Sequence, residues 1–420
     1  MYVDNIDEFY NQYTNNIKEP FQFISVLIAI WNIALAIENN ESIVINNPIL
    51  FDASCSGIQH LSAMTRDVEI ARKVNILSEE ALDNADEDTI LDKSRGQDFY
   101  EYSAKNIQTQ LDNLDNDKLN KIVLNRKMIK KTVMTIPYNI TIHGVNDQLR
   151  EFFIVTKLDD KYFYQVNSVN TKNNQLVYLL PSEFNLLVNI VYKTLIRIPS
   201  LSKLTKYLNS ILTILLKLDQ PIIWLTPSPT PKYEATPPWG GGVGNLEGSG
   251  LKINLSTRLF KSELTQTKII KNSKPVTIKL PINKLDKKKI LRGFMPNLIH
   301  SLDASNIHIL IPKLNNHPLY TVHDCFATIP NYMSDLNIYI KEAFVEIYFR
   351  DGNYLNLMHT SLVKQIKDHA SEIFINNKGD EYVKIKGEDF IIPKIPVEFT
   401  SNEHNKLFIN GIFKSKFFIN

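Results

Sequence analysis

The sequence predicts an α+β fold that is mostly helical, and three observations carry that reading. Apolar residues recur at helical spacing through residues 97–113, 117–136 and 183–218. A strand-like run from Ile43 to Phe51 passes through Asp52 into a helical pattern at Gly57 to Arg66, with Ile58, Leu61 and Met64 on one face. Two apolar strands flank His323-Asp324 within Leu319 to Ile329, the pattern of a hairpin. The 420 residues suffice for two or three domains, and a hydrophobic share of 44% excludes wholesale disorder.

Taken in order, residues 7–39 read as helices. Phe21 to Ile37 is apolar except for Gln22, Ser25 and Asn32. It is short for a bilayer span, so a buried helix entered at Pro20 is expected, with no membrane partner. Residues 97–113 and 117–136 read as two helices, and residues 183–218 as a helical pair broken near Pro199. Pro221 to Thr226 is strand-like, and Leu251 to Leu280 is β-rich. A helix is expected to follow His300, and residues 331–420 to begin with helices and end in irregular, aromatic-rich chain. Pro227 to Gly250 stands apart, with five prolines and Gly240-Gly241-Gly242, and reads as a flexible loop or late insertion. The sharper alternative, a phosphate-cradling loop, lacks its lysine and its flanking strand and helix.

The net charge of +2 writes no nucleic-acid partner into the bulk composition, so any basic surface is local. Arg126 to Lys131 and Lys287 to Lys289 are the candidate runs. Cys55 and Cys325 exclude a disulfide scaffold, form no C-x-x-C pair and suit a reducing compartment. Asn, Ile, Lys, Tyr and Phe abound, and all have AT-rich codons, as a mitochondrial genome would favour. The acidic start, Met1 to Glu8, resembles neither a secretory signal nor an arginine-rich transit peptide, so a mitochondrial protein of this sequence is expected to be made inside the organelle.

Four segments carry chemistry. In Phe51-Asp52-Ala53-Ser54-Cys55-Ser56-Gly57-Ile58-Gln59-His60 a strand delivers a carboxylate, and small residues turn the chain into a helix while leaving room near the backbone. By itself such an Asp also reads as a helix cap. In Arg126 to Tyr138, Arg126, Lys130, Met134 and Tyr138 recur every four residues as a stripe beside the apolar Ile122, Ile129, Val133 and Ile136. Lys130 and Tyr138 would lie roughly 12 Å apart along such a helix. That length suits a nucleoside triphosphate, with Pro137 ending the helix. The plain alternative is a solvated basic face. Pro296 to Asp303 places His300 near a helix start, and a lone histidine is commonly structural. Tyr320 to Pro330 puts Asp324 at a hairpin tip. Beside the Asp of another strand it would build a hard-oxygen site for Mg²⁺, though Asp is also an ordinary turn residue.

Together and in this order, the segments resemble the catalytic motifs of single-subunit, phage-type RNA polymerases of phages, mitochondria and mitochondrial plasmids. Asp52 to His60 matches the first-carboxylate motif, and Arg126-x3-Lys130-x7-Tyr138 the fingers helix. Pro296 to His300 and His323-Asp324 match the remaining two, and Gln97-Asp98-Phe99-Tyr100 the start of the fingers. The likeness runs from about Pro20 to the C-terminus. Ala53 and Asn139 stand where the family usually has Gly, and Asn tolerates the left-handed conformation such a turn needs.

The resemblance implies a right-hand architecture lacking the thumb and N-terminal domain. Residues 1–95 would be the first part of the palm, 96–290 the fingers with the insertion at 227–250, and 291–420 the second part of the palm. It implies DNA-directed RNA synthesis with two Mg²⁺ ions. Asp52, Lys130 and Asp324 would be catalytic. Asp52, Asp324 and the Ala53 backbone carbonyl would hold metal. Arg126, Tyr138, His300, Tyr100 and Gly57 would bind substrate, Gly57 leaving space for a ribose 2′-hydroxyl where a family-A-like DNA polymerase places Glu. DNA template, nascent RNA and nucleoside triphosphates are the implied partners, with a separate N-terminal polymerase part or a transcription factor. Trp224 to Ser228 and Leu251 to Ile253 read as halves of one strand, in the region that forms the family's promoter-reading hairpin. The family's N-terminal parts have no counterpart ahead of Pro20. The chain is therefore expected to be a fragment, a split subunit or a decayed, non-catalytic remnant that at most binds nucleic acid.

Overall fold

The computed structural model describes residues 19–43, 45–78, 96–158, 160–227, 252–255, 260–267, 276–314, 317–350 and 353–419. It is mostly helical with small antiparallel sheets, as the apolar spacing predicts. The Gly240 run and most of the proposed insertion lie outside the described residues.

Helix α1 (Pro20–Glu38) begins at the expected proline but is not buried: Phe21 is 83% exposed and Ile37 62%. The helix is apolar nearly all round, so it has no polar face to turn outward. Its length and composition would also allow a membrane span. Asn47 Nδ2 ties it to the following chain through Ser25 Oγ at 2.9 Å.

Strand β1 (Ile49–Asp52) is shorter than the Ile43 to Phe51 run suggests. It leads through a tight turn into α2 (Ser56–Thr65). All of α2 from Gly57 to Thr65 is buried, more than the single Ile58, Leu61 and Met64 face requires, which makes it the central helix of the core. Helix α3 (Val68–Lys73) follows, capped by Asp67.

Helix α4 (Phe99–Asp112) is capped by Asp98, whose side chain accepts from the Tyr100 and Glu101 N–H groups. The region expected as one helix over 117–136 is instead a short 3₁₀ turn at Leu119–Lys121 and then α5 (Arg126–Met134), capped by Asn125. An Asx cap satisfies otherwise unpaired N–H groups and starts the helix afresh. Helix α6 (Ile142–Arg150) leads into a three-stranded sheet of β2 (Phe153–Leu158), β3 (Lys161–Val166) and β4 (Val177–Leu179).

Helices α7 (Pro181–Leu195) and α8 (Pro199–Lys217) are the expected pair, separated at Pro199. Strands β5 (Ile223–Leu225) and β6 (Lys252–Asn254) pair antiparallel, with Trp224 opposite Ile253. In this chain the described parts of the two segments lie side by side as an antiparallel pair, not end to end as one strand. Strands β7 (Phe260–Thr267) and β8 (Val276–Leu285) form a separate hairpin.

Helix α9 (Lys287–Leu310) starts well before the motif, so His300 sits in its interior rather than near its start, with Pro296 inside it too. Trp224, fully buried, packs edge-on against Phe294 of α9 at 5.1 Å and donates to Ser301 Oγ at 3.3 Å. Burying such a ring contributes about 3 kcal/mol and pins β5 to α9.

Strands β9 (Tyr320–Val322) and β10 (Cys325–Thr328) form the predicted hairpin. Helix α10 (Met333–Val345) and a π turn (Glu346–Arg350) lead to α11 (Tyr354–His369). The tail is more regular than its composition suggests. It holds a sheet of β11 (Ile373–Ile375), β12 (Glu381–Ile385) and β13 (Glu388–Ile391), then α12 (Val397–Thr400) and α13 (Asn405–Lys414). Left-handed Lys386 and Gly387 make the tight β12–β13 turn that the aromatic content hides. Helix α2 packs against α8, α9 and α12, so the carboxylate at its entry is held from several sides.

Candidate active site

Two strand ends bring the carboxylates together. Strand β10 pairs with β1 on one side and β9 on the other. Asp52 lies opposite Cys325, so Asp324 is one residue away at the hairpin tip. His323 takes a left-handed φ of 55° there, which lets the chain reverse in two residues. The carboxylates feel each other: burial first, and then Asp324, push the Asp52 carboxyl above its ordinary range, against a hydrogen bond from the Ala53 backbone and the charge of Lys130. Two repelling carboxylates are hard-oxygen donors suited to Mg²⁺, so the residues fit the metal expected from the motifs. The Ala53 backbone is held in an isolated antiparallel bridge with Ile419, and Ser54 Oγ donates to the Phe417 carbonyl at 2.8 Å. Among the described residues no cluster of three or more His, Cys, Asp or Glu side chains could hold a metal.

A cationic wall stands across from this pair. Arg126 and Lys130, both exposed, face the ring of Tyr100 at 5.2 and 5.6 Å. Arg126 Nε is also ion-paired with Asp98. Tyr100 is buried and hydrogen-bonded to Cys55; burial raises its hydroxyl pKa strongly. The Cys55 thiol is pushed up to about 11, again mainly by burial, which keeps it a protonated packing residue. The sequence reading missed Asp98 as a partner of Arg126. The D-x-x-E spacing of Asp98 and Glu101 at a helix start could have drawn attention to it.

The stripe from Arg126 to Tyr138 does not continue as one helix. Helix α5 stops at Met134, three residues before Pro137, because proline disfavours helical backbone just before it. Tyr138 is delivered by the turn that follows, its N–H bonded to the Thr135 carbonyl, with Asn139 left-handed at φ 59° as expected. The Tyr138 and His300 rings are 5.0 Å apart, so the turn and α9 present one aromatic surface. Burial, then Asp303 and Asp324, push the Tyr138 hydroxyl up to about 12.

Gly57 is buried, and the space beside it is filled. A Cβ there would lie 2.7 Å from the Pro137 ring and 3.6 Å from Ile299. The glycine thus lets α2 pack against the Pro137 turn. Gly57→Ala should cost about 1–3 kcal/mol by overpacking, read as a lower thermal midpoint. An unchanged midpoint would mean that the turn yields freely.

The four motifs thus meet in one place, with a carboxylate pair, a cationic helix face and an aromatic surface. A sequence model of the DNA-dependent RNA polymerase family matches residues 6–391. The chain belongs to that family, in its phage-type branch. It is similar to a "Probable DNA-directed RNA polymerase" of Agaricus bitorquis, 37% identical over 99% of this chain and 37% of that protein. Another of that name, from Gelasinospora sp. (strain G114), is 29% identical over 84% of this chain and 39% of its own length. The "DNA-directed RNA polymerase, mitochondrial" of Schizosaccharomyces pombe is 24% identical over 97% of this chain and 32% of its own. The chain spans about two fifths of the length, or less, of the curated relatives it matches here.

Proposed function

We propose that the chain is a catalytic part of a DNA-directed RNA polymerase, adding ribonucleotides from nucleoside triphosphates to an RNA 3′-hydroxyl on a DNA template. The observation that carries this reading is the pairing of β1 with β10, which sets Asp52 beside Asp324. These two, with the Ala53 backbone carbonyl, would hold two Mg²⁺ ions, which when bound supply charge neutralisation at the attacking oxygen and the leaving pyrophosphate. Arg126 and Lys130 bind the triphosphate and offset the charge that develops on it. Lys130 protonates the departing pyrophosphate. Asp98 and Tyr100 hold the Arg126 guanidinium in place. Tyr138 and His300 bound the sugar and base and select ribose, and Gly57 acts indirectly, by letting α2 close on the Pro137 turn that delivers Tyr138.

In domain terms, residues 1–95 and 291–420 form the palm and 96–290 the fingers. The partners are DNA, RNA, nucleoside triphosphates and a further polymerase part or transcription factor, with no membrane. We place the protein in the mitochondrion, transcribing mitochondrial or mitochondrial-plasmid DNA; the abundance of residues with AT-rich codons and the mitochondrial relative in Schizosaccharomyces pombe support this.

Offering the chain a primed DNA template with rNTPs or with dNTPs tests the reading. RNA extension is expected, with rNTPs preferred about 10-fold or more over dNTPs, the scale of the net gain from a single hydrogen bond to the 2′-hydroxyl. Preference for dNTPs would make it a DNA polymerase. Template binding without extension, even with a further polymerase part supplied, would make it a remnant.

A further inference from the structure

A small pocket of mixed polar and apolar lining, closed by Phe326, Ile340 and Phe418, adjoins Asp324, and nucleotide addition as described leaves it unused. Ala53, Ser56 and His60 bound it on one side, Asp303 and Asn306 of α9 on another, and Asp324 at the hairpin. Its volume is about 20 Å³. That admits one water molecule and nothing the size of a nucleotide.

Asn306 makes the pocket more than a gap. It is 8% exposed, and its side-chain oxygen Oδ1 has no hydrogen-bond partner. Folded proteins rarely leave such an acceptor unpaired, so a donor is called for. Asp324 adds a second acceptor and Asp303 is already served by His60, so a small donor that reaches two oxygens fits the pocket. Water does this at no cost in charge.

The helix side of the pocket is firmly fixed. Asp303 Oδ1 accepts from His60 Nε2 at 3.0 Å, and His60 Nδ1 lies 2.7 Å from the hydroxyl of the fully buried Tyr348. The His60 ring stacks on Phe344 at 5.3 Å. Asp324, by contrast, rides on a two-residue turn whose β9 strand is exposed along its length. One bridge from α9 would fix what the turn leaves free.

We propose that this pocket holds one structural water, which donates to Asn306 Oδ1 and to the Asp324 carboxylate and so ties the hairpin tip to α9. Asn306 is then a positioning residue for the carboxylate pair. The inference rests on reading Asp52 and Asp324 as divalent-cation ligands. Groups that orient a metal ligand through a hydrogen bond typically change metal affinity by about 10- to 100-fold when removed.

The test combines crystallography of the full chain with Mn²⁺ titration and thermal melting. A solvent peak within hydrogen-bonding reach of both Asn306 Oδ1 and Asp324 is expected; a dry pocket would overturn the proposal. Asn306→Leu fills the space and removes the orphan acceptor. It should leave the metal-free thermal midpoint unchanged or higher, yet weaken Mn²⁺ binding about 10-fold. Asn306→Ser, which keeps an acceptor and room for solvent, should restore the affinity to within about 3-fold of the parent. Equal Mn²⁺ affinity in the parent and Asn306→Leu would overturn the bridge. If Asn306→Leu does not fold, Asn306→Ala reads the same shift. Parent Mn²⁺ affinity that is indifferent to Asp52→Ala would instead defeat the cation reading, and the solvent density would then decide the water site by itself.

Discussion

Asp52→Ala or Asp324→Ala is expected to abolish nucleotide addition, by at least about 10³-fold, while primed-template binding stays within about 2-fold of the parent. The scale follows from the several kcal/mol of charge stabilisation that a bound divalent ion supplies. The structural reason is that each carboxylate stands at the end of a different strand, so neither can replace the other. The same pair sets a pH dependence. Burial and Asp324 raise the Asp52 pKa, so protons compete with the cation at a higher pH than at an ordinary aspartate. Mn²⁺ affinity should therefore fall as pH drops through that raised value, and Asp324→Asn should move the fall to lower pH by removing the neighbouring charge. Undiminished RNA synthesis in either alanine variant would defeat the metal assignment.

Lys130→Ala should lower kcat about 10²- to 10³-fold and leave Mn²⁺ affinity little changed. Two roles are combined in that loss, and Lys130→Arg separates them. Arginine keeps the positive charge near Asp52 and over Tyr100 but does not give up its proton. If proton donation to pyrophosphate matters, Lys130→Arg should stay well below the parent in kcat while its KM for nucleotide recovers. Full recovery of kcat would leave only electrostatics for Lys130.

The residues that the fold brings together around Asp52 are more legible in the sequence than the architecture that holds them. Asp52, Asp324, Arg126 and Lys130 can be picked out because strand-turn-helix and hairpin signals are local: a run of apolar residues, a short turn and an acidic residue within one span. Pro137 and Asn139 likewise declare their turn. What is hidden depends on long-range packing. The burial of every residue of α2 from Gly57 to Thr65 follows from helices far along the chain, so no single face could announce it. The exposure of α1 runs against its composition, since an apolar pattern states what a helix prefers and not whether anything covers it. His60, Asp303 and Tyr348 are 243 and 288 residues apart in the pairs they form, and no spacing rule reaches so far. Gly57 looks like room for substrate in the sequence, and in the fold it is room for Pro137.

The pairing of Trp224 with Ile253 has a consequence for how this region can change over evolutionary time. Both strands are anchored, one of them by the tryptophan wedged against Phe294, so the ends of the intervening chain are pinned as neighbours whatever its length. The entropy of closing a flexible link grows only with the logarithm of its length, about 0.6 kcal/mol for each doubling. Genetic additions between these strands therefore tax the fold very little, and a large acquisition there can coexist with an undisturbed catalytic centre.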